Sequence, residues 1–315
     1  MTGLLPKGFY DELAPSAQDR MQSIYALLTH VMDAGYELVD PPLVEFENTL
    51  FEGAGGALAD ETFRVMDPKS HAMMGIRADM TVQVARIAAT RLHTQPRPLR
   101  LAYAGQVLRV KGDVLYGQRQ LWQTGIELVG SDTLESEIEV LDLAIGSLGV
   151  LGVKDICVDF TIPVLAPRLL ESLHVSASDR SEILHALDKK DSASIKRLVN
   201  EQIACQLLPL LELETSLESV QELDLPEDIQ SLCLRLHDTI VSLEKKRKNI
   251  RISVDLLESL KFPYHTGIAF SIFAKGAKLE LARGGRYSIP SQTGQAEPAV
   301  GVTFYINELL RMNRR

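Results

Sequence analysis

Residues Leu99–Gly130 read LRLAYAGQVLRVKGDVLYGQRQLWQTGIELVG and predict two β-strands joined by a polar, glycine-containing loop. One strand is expected over Leu99–Arg109 and the returning strand over Arg119–Val129. Because side chains alternate between the two faces of a strand, one face of this hairpin should present a cation, an amide and a carboxylate together. These residues are Arg109, Gln123 and Glu127.

The composition is ordinary for a soluble protein and excludes several classes of function. With 315 residues, 45% of them hydrophobic, the chain can hold one large domain and a smaller one. The net charge of −9 argues against a nucleic-acid partner, which normally requires a positive surface. Cys157, Cys205 and Cys233 are odd in number and lack metal-site spacing. With no secretory signal and no apolar run near about 18 residues, we expect a cytoplasmic protein with no membrane partner.

Helical and extended patterns alternate along the rest of the chain. A helix is predicted over Ser16–Ala34, with a capping box from Ser16 to Asp19 and Gly35 at its C-terminal end. The run Glu52–Glu61 is interpreted as a mobile flap, since its glycines lead into a strand rather than into a helix beside a cation. Further predicted helices are Asp79–His93 and Leu134–Leu148, and further predicted strands are Thr62–Met66, Ile156–Ile162, Ile252–Asp255, Gly267–Phe273, Leu279–Leu281 and Val300–Phe304.

The hairpin resembles motif 2 of the class II aminoacyl-tRNA synthetases, most closely the histidine-specific ones. Other segments are similar to further motifs of this family and follow in the family's order. They are LPKGFYDELAP (Leu5–Pro15), the motif 1-like GYELVDPPLVEFENTLF (Gly35–Phe51), TFRVMDP…MGIRADMT (Thr62–Thr81) and the motif 3-like LARGGRYS…EPAVGVTFYINELLR (Leu281–Arg311). The resemblance implies an α+β fold with an antiparallel sheet flanked by helices.

The same resemblance implies a division into domains. Residues 1–163 and 251–315 should form the synthetase-like core. Residues 164–250 should form the helical insertion that histidine-specific members carry between motifs 2 and 3, in agreement with the leucine-rich composition of this segment. Since the sequence ends directly after the motif 3-like segment, we expect no anticodon-binding domain.

Three catalytic charges of the synthetase family are changed in this sequence. The family's F-R-x-E appears as Leu108-Arg109-Val110-Lys111, so a base replaces the acid. Glu308 stands at the position of the motif 3 arginine, and Leu260 at that of the arginine in an R-G-L-D-Y-Y segment. Adenylation requires cations around the ATP triphosphate. We therefore infer that adenylate formation has been abandoned.

The amino-acid pocket of the family is better preserved, and the resemblance implies a histidine site without a metal or a cofactor. The matching residues are Asp79, Thr81, Arg109, Gln123, Glu127, Tyr264 and His265. Histidine needs acceptors for its ammonium group, a partner for each ring nitrogen and a donor for its carboxylate. Asp79 and Thr81 stand where the family binds the ammonium group.

Alternative roles for these residues remain open. Asp79 could simply cap the helix that follows it, and Glu127 could form a core ion pair with Arg109 or Arg77. The donor for the ligand's carboxylate is also undecided. Because Leu260 replaces the family's arginine, either Arg109 or Lys261 must serve, or the ligand binds elsewhere.

A synthetase core with altered catalytic charges is similar to one family, the regulatory subunits of ATP phosphoribosyltransferase in bacterial histidine biosynthesis. The resemblance implies a non-catalytic subunit that associates with a short-form catalytic subunit, is required for its activity and mediates feedback inhibition by L-histidine. It also implies self-association into a dimer through the motif 1 face. Two alternatives are a synthetase-like core that still adenylates histidine, detectable by histidine-dependent pyrophosphate exchange, and a metabolite-sensing binding module.

Overall fold

The computed structural model describes residues 4–212, 225–290 and 294–313. Its strands are β1 (Glu37–Leu38), β2 (Val44–Phe46), β3 (Phe63–Met66), β4 (Met73–Ile76), β5 (Leu99–Leu108), β6 (Gln120–Val129), β7 (Ile156–Thr161), β8 (Arg251–Val254), β9 (His265–Ala274), β10 (Ala282–Ile289) and β11 (Glu297–Tyr305). Its α-helices are α1 (Ser16–Asp33), α2 (Glu47–Leu50), α3 (Thr81–Thr90), α4 (Leu134–Val150), α5 (Leu165–Ser172), α6 (Ala177–Asp188), α7 (Ser192–Leu198), α8 (Glu201–Glu212), α9 (Glu227–Lys246) and α10 (Ile306–Asn313).

Eight strands form one large sheet in the order β1-β5-β6-β11-β10-β9-β7-β8, and β2, β4 and β3 form a small antiparallel sheet. The central strands of the large sheet pair antiparallel. Only the outer pairs, β1 with β5 and β7 with β8, are parallel among the described strands. This topology confirms the expected antiparallel sheet flanked by helices.

The predicted hairpin is present, and its two faces belong to two different hydrophobic clusters. β5 pairs with β6 so that Gly105 lies opposite Gln123 and Leu101 opposite Glu127. Ala102 and Ile126 face the side covered by α1 and α4 and belong to the larger cluster. The other face packs against α3 and carries Gln123 and Glu127, so the alternation read from the sequence is confirmed.

Helix α1 begins where the sequence predicts, but the capping box does not form. Pro15 occupies the N-cap position, and no side chain accepts a backbone N–H there. The N–H groups of Ala17 and Asp19 instead donate to the carbonyls of Leu13 and Pro15, at 3.1 and 3.0 Å. A backbone turn ahead of the helix therefore satisfies these donors. Gly35 has a φ of +91°, as expected of a glycine that ends a helix.

The run Glu52–Glu61, interpreted from the sequence as a mobile flap, contains a 3₁₀-helix over Gly53–Glu61. The close turn at the start of this 3₁₀-helix requires a glycine at position 55. A Cβ atom at this position would lie 1.9 Å from the carbonyl oxygen of Leu50. Glycine at this position thus permits a close-packed turn, and the mobility of the run remains a prediction.

The strand predicted over Leu279–Leu281 is wrong, because β10 begins only at Ala282. The physical reason is the carboxylate of Glu308, which accepts the N–H groups of Lys278 at 2.8 Å and Leu279 at 3.3 Å. These bonds hold the chain in a bend and delay the strand. Glu308 is 4% exposed, so its carboxylate serves this turn.

The segment expected to be a helical insertion is helical where the structure describes it. Helices α5 to α9 follow one another between β7 and β8. Residues 213–224, within the same segment, lie outside the described residues. Helix α9 packs along α4, so the described helices share the core of the large sheet. The division into two domains remains a prediction.

A buried ion cluster joins α4, α9 and β10. Glu137 of α4 accepts from the Nε atoms of Arg286 at 2.7 Å and Arg235 at 3.1 Å. Both arginines also approach Asp132, at 3.1 Å each. Glu137 is only 3% exposed. Since removing one partner of a buried pair leaves the other charge uncompensated, this cluster makes α4 central to the fold.

Replacing Glu137 by alanine should lower the free energy of unfolding by about 3–5 kcal/mol, because the buried guanidinium of Arg286 and the half-buried one of Arg235 would lose their shared carboxylate. Chemical denaturation of the purified variant measures this loss. Glu135→Ala is the matched control, since Glu135 lies exposed on the same helix and should change stability by less than about 0.5 kcal/mol. Equal losses in both variants would contradict the role of Glu137 as the shared partner of Arg235 and Arg286.

Candidate functional site

A small cavity lies on the α3 face of the large sheet, between β6, β10, β11 and the chain that leads into β9. It is lined by Asp79, Thr81, Glu127, Tyr264, His265, Arg283, Gly284, Gly285, Tyr287, Gly301, Val302, Thr303 and Tyr305. Five of the seven residues predicted to bind histidine, all except Arg109 and Gln123, are in this lining. The cavity volume is about 20 Å³, enough for a single water molecule.

Glu127 is the chemical centre of the cavity. Its carboxylate accepts from the hydroxyl of Tyr287 at 2.8 Å and from that of Tyr103 at 3.4 Å. The residue is 1% exposed. Burial raises the pKa of the carboxyl group to about 8, although both hydroxyl bonds oppose the rise. No described cation forms an ion pair with it, so the alternative of a core pair with Arg109 or Arg77 is wrong.

Both of those arginines are committed elsewhere. Arg77 donates to the carbonyls of Gln106 and Pro41, each at 2.7 Å. Arg109 donates to the carbonyl of Ala78 at 3.2 Å. Neither arginine therefore compensates the carboxyl group of Glu127.

The space for Glu127 exists because its neighbour on β11 is glycine. Gly301 pairs directly with Glu127 across β6 and β11. A Cβ atom at Gly301 would lie 1.7 Å from Oε2 of Glu127. The leading glycine of the motif 3-like segment thus has a steric role in this cavity.

Asp79 has both roles that the sequence left open. Its Oδ1 atom accepts the N–H of Thr81 at 2.8 Å, which fixes the start of α3. Its Oδ2 atom accepts from Nε2 of Gln123 at 2.9 Å, and the residue also lines the cavity. Gln123 is fully buried behind it and accepts the N–H of Met80 at 3.2 Å. Gln123 therefore positions the α3 turn without lining the cavity.

Neither candidate for the ligand's carboxylate lines the cavity. Arg109 is held near Asp79 and Glu61, with closest charged atoms at 4.0 and 3.8 Å. Lys261 forms an ion pair with Glu258 on the exterior. Leu260, which replaces the family's arginine, is 43% exposed.

Tyr264 and His265 form an aromatic wall of the cavity. Their rings stack with centroids 4.7 Å apart. Burial, together with the nearby charge of Arg283, lowers the pKa of His265 to about 3, so its imidazole is neutral. Its Nδ1 atom has no hydrogen-bond partner among the described residues. An unpaired polar atom beside a cavity is a feature expected of a ligand site.

Sequence reasoning missed three residues of this site. Tyr103 donates to Glu127 and also contacts the hydroxyl of Thr303 at 2.7 Å. Tyr287, in the motif 3-like segment, donates from its hydroxyl to Glu127. Arg283 lines the cavity from the same face of β10. The alternation of side chains along LARGGRYS was a usable signal, because it puts Arg283 and Tyr287 on one face and Arg286 on the other.

No group of three histidine, cysteine, aspartate or glutamate side chains within residues 4–212, 225–290 and 294–313 could hold a metal ion. In the same part of the chain, no helix is both long and apolar enough to cross a membrane.

Comparison with known proteins assigns the fold to a class. The family model of histidyl-tRNA synthetase matches residues 8–309. An ATP phosphoribosyltransferase regulatory subunit/histidyl-tRNA synthetase from Bacillus halodurans superposes with a TM-score of 0.84 over 99% of this chain and 83% of that chain, at 22% identity. A chain of the HisG:HisZ complex of ATP phosphoribosyl transferase from Thermotoga maritima superposes with a TM-score of 0.71. The match covers 91% of this chain and 97% of that chain, at 20% identity. The protein thus has the class II, histidyl-tRNA synthetase-like fold.

Sequence relatives narrow the assignment within this class. The ATP phosphoribosyltransferase regulatory subunit of Paramagnetospirillum magneticum is 42% identical over 98% of this chain and 81% of the relative. The ATP phosphoribosyltransferase regulatory subunit of Alkalilimnicola ehrlichii is 33% identical over 98% of this chain and 80% of the relative. The chain belongs to the family of ATP phosphoribosyltransferase regulatory subunits. This membership confirms the expectation of a regulatory rather than a catalytic subunit.

Replacing Glu127 by glutamine should stabilise the protein increasingly as the pH rises from 5 to 8. The folded-state pKa of about 8 exceeds the ordinary value of 4.5, so the folded protein retains a proton that the unfolded chain releases. Stability is therefore lost as the pH rises between these values, on the order of 3 kcal/mol near pH 7. Glutamine cannot ionise and avoids this loss. Denaturant unfolding at pH 5 and pH 8 measures the difference.

The control is Glu139→Gln, because the pKa of Glu139 is shifted in the direction opposite to that of Glu127. Its hydrogen bonds with Arg100 lower the pKa of Glu139, so the charged form stabilises the fold and its removal should bring no gain at pH 8. An advantage of Glu127→Gln that stayed constant between pH 5 and pH 8 would contradict the buried, uncompensated state of Glu127.

Proposed function

We propose that this chain is required for the activity of a short-form ATP phosphoribosyltransferase catalytic subunit and makes that activity sensitive to L-histidine. The observation that carries the proposal is the buried, uncompensated carboxyl of Glu127 in a cavity that also presents Asp79. Two acidic groups without a cationic partner in the lining at that end favour a ligand with cationic or N–H donor groups.

Histidine satisfies these groups chemically. Its ammonium group fits Asp79 and the hydroxyl of Thr81, and a ring N–H fits the carboxyl of Glu127. The neutral imidazole of His265 and the ring of Tyr264 offer an apolar wall for the ligand's own ring. The pocket inherited from the synthetase fold would thereby bind an effector in place of a substrate.

Binding requires the cavity to open. A volume of about 20 Å³ is far below the roughly 300 Å³ at the lower end of ligand pockets. Tyr264 stands at the end of the irregular chain between β8 and β9, where it stacks on His265. We assign the opening to this segment. An effector then favours the open form, and such a difference between two states is the requirement for control of a partner.

The catalytic partner is proposed from the family. The relatives are named as regulatory subunits of ATP phosphoribosyltransferase, and a fold neighbour comes from a HisG:HisZ complex. The residues of this chain agree with a non-adenylating role, since Glu308 is buried and bonded to the turn at Lys278.

Self-association through the motif 1 face is supported by an exposed apolar surface. Met21, Tyr25 and Met32 lie four and seven residues apart on α1 and are 53%, 72% and 40% exposed. Leu38 and Phe46 of the motif 1-like segment are also exposed, at 51% each. Exposed apolar side chains grouped on one helix favour an interaction site. We propose that it pairs with the same surface of a second copy.

Mixing the chain with a short-form catalytic subunit should give a larger species by light scattering and start phosphoribosyl-ATP synthesis. Docking on a symmetric dimer offers two equivalent sites, so the complex should contain more than one copy of each chain. A catalytic subunit that is fully active alone and does not co-elute with the chain would refute the proposal.

In the assembled complex, Glu127→Ala should raise the histidine concentration needed for half inhibition by about tenfold or more. The variant leaves a ligand donor unpaired, which costs about 1–3 kcal/mol. Titration of the activity with histidine measures the effect. Glu135→Ala, which removes an exposed carboxylate of α4, should retain the parent's response. Unchanged histidine sensitivity in Glu127→Ala would place the inhibitor site elsewhere.

A further inference from the structure

We propose that Arg283 binds the carboxylate of the effector and thereby selects an amino acid over imidazole compounds that lack a carboxylate. This inference rests on the proposed histidine site. It assigns a role to a residue that the sequence did not single out, and it fills the position left open by Leu260.

Arg283 is the one cation among the described residues that line the cavity. The other cationic side chains that could bind the carboxylate contact other groups. Arg109 is bonded to the carbonyl of Ala78, and Lys261 pairs with Glu258 on the exterior. Arg286 points to the opposite face of β10, where it binds Glu137.

The guanidinium of Arg283 is held in place by protein groups. Its Nε atom donates to Glu280 at 3.1 Å, a terminal nitrogen approaches the same carboxylate at 2.5 Å, and the other donates to the carbonyl of Lys261 at 2.9 Å. The ring of Phe262 lies 5.1 Å from the guanidinium carbon. A side chain fixed in this way loses little freedom when it binds a ligand.

Two N–H donors of the Arg283 guanidinium remain free. A guanidinium carries five N–H groups, and the bonds to Glu280 and Lys261 use three of them. One N–H on each terminal nitrogen has no partner among the described residues. N–H donors on a planar guanidinium bind carboxylate oxygens with strong, charge-assisted hydrogen bonds.

The position along the sheet suits an amino acid with a polar ring. Glu127 lies beside Gly301, which pairs with Gly285, whereas Arg283 pairs with Thr303. Arg283 is therefore two residues along the strands and two strands across from Glu127, which separates their Cα atoms by about 12 Å on the same face of the sheet. Both side chains line the cavity between them. A ligand held between the two groups needs an anionic group at one end and a donor at the other, as histidine has.

The unpaired Nδ1 atom of His265 is an independent sign of a ligand in the same cavity. The residue is 8% exposed and lines the cavity together with Arg283. A buried ring nitrogen without a partner is unfavourable unless something binds it.

The test compares two ligands on the full chain by calorimetric titration. L-Histidine and histamine share the ring and the amine, and only histidine has the carboxylate. The parent should bind histidine at least about tenfold more tightly than histamine, because bonds between ionised groups are among the stronger ones. In Arg283→Met this preference should fall to about twofold or less. Lys261→Met is the matched control and should keep the parent's preference.

The outcomes separate the two proposals. A parent chain that binds neither ligand contradicts the proposed histidine site itself. A parent that prefers histidine, with Arg283→Met retaining the full preference, overturns the role of Arg283 and leaves the histidine site standing. Loss of preference in Lys261→Met alone assigns the carboxylate to Lys261. If thermal unfolding shows that Arg283→Met does not fold, Arg283→Gln keeps a donor amide without the charge, and the same expectation and refutation apply.

Discussion

The site depends on a carboxyl group buried without a counter-charge. Glu127 is accommodated between two tyrosine hydroxyls and above a glycine of the neighbouring strand. In an apolar interior an ionised group of this kind is unfavourable, so it holds its proton until a suitable donor or cation arrives. Arg77 and Arg109 donate to backbone carbonyls instead. The carboxyl group of Glu127 therefore has no counter-charge among the described residues.

Strand β10 connects this cavity to the helices on the other side of the sheet. Tyr287 bonds Glu127 on one face, and its neighbour Arg286 bonds Glu137 on the other. Through Arg235, the same carboxylate of α4 also holds α9. A displacement of β10 would therefore disturb both the hydrogen bond to Glu127 and a buried ion cluster. The strand that forms the site is thus also a strand on which the helical layer depends.

Much of the fold was predictable from local patterns, since alternation along β5 and β6 fixes which side chains share a face. Asp79, Thr81 and Glu127 were assigned to one site from the resemblance to the synthetase pocket, and all three line the cavity. Alternation along β10 places Arg283 and Tyr287 on one face, but it does not show that this face lies on the same side of the sheet as Glu127, because that depends on the pairing of β10 with β11 and of β11 with β6. The late start of β10 had a similar cause, since the bend before it is made by Glu308, about 30 residues further along the chain. Long-range contacts thus account for both errors.

Closure of the cavity at Tyr264 affects the rate at which a ligand can bind. A ligand that enters only an open form associates more slowly than diffusion allows, because the chain must open first. Its apparent affinity is also reduced by the fraction of molecules that are open at any moment. The concentration at which such a sensor responds is therefore set partly by the segment that closes the cavity. Substitutions in that segment could retune the response threshold of the sensor while every atom that touches the ligand stayed the same.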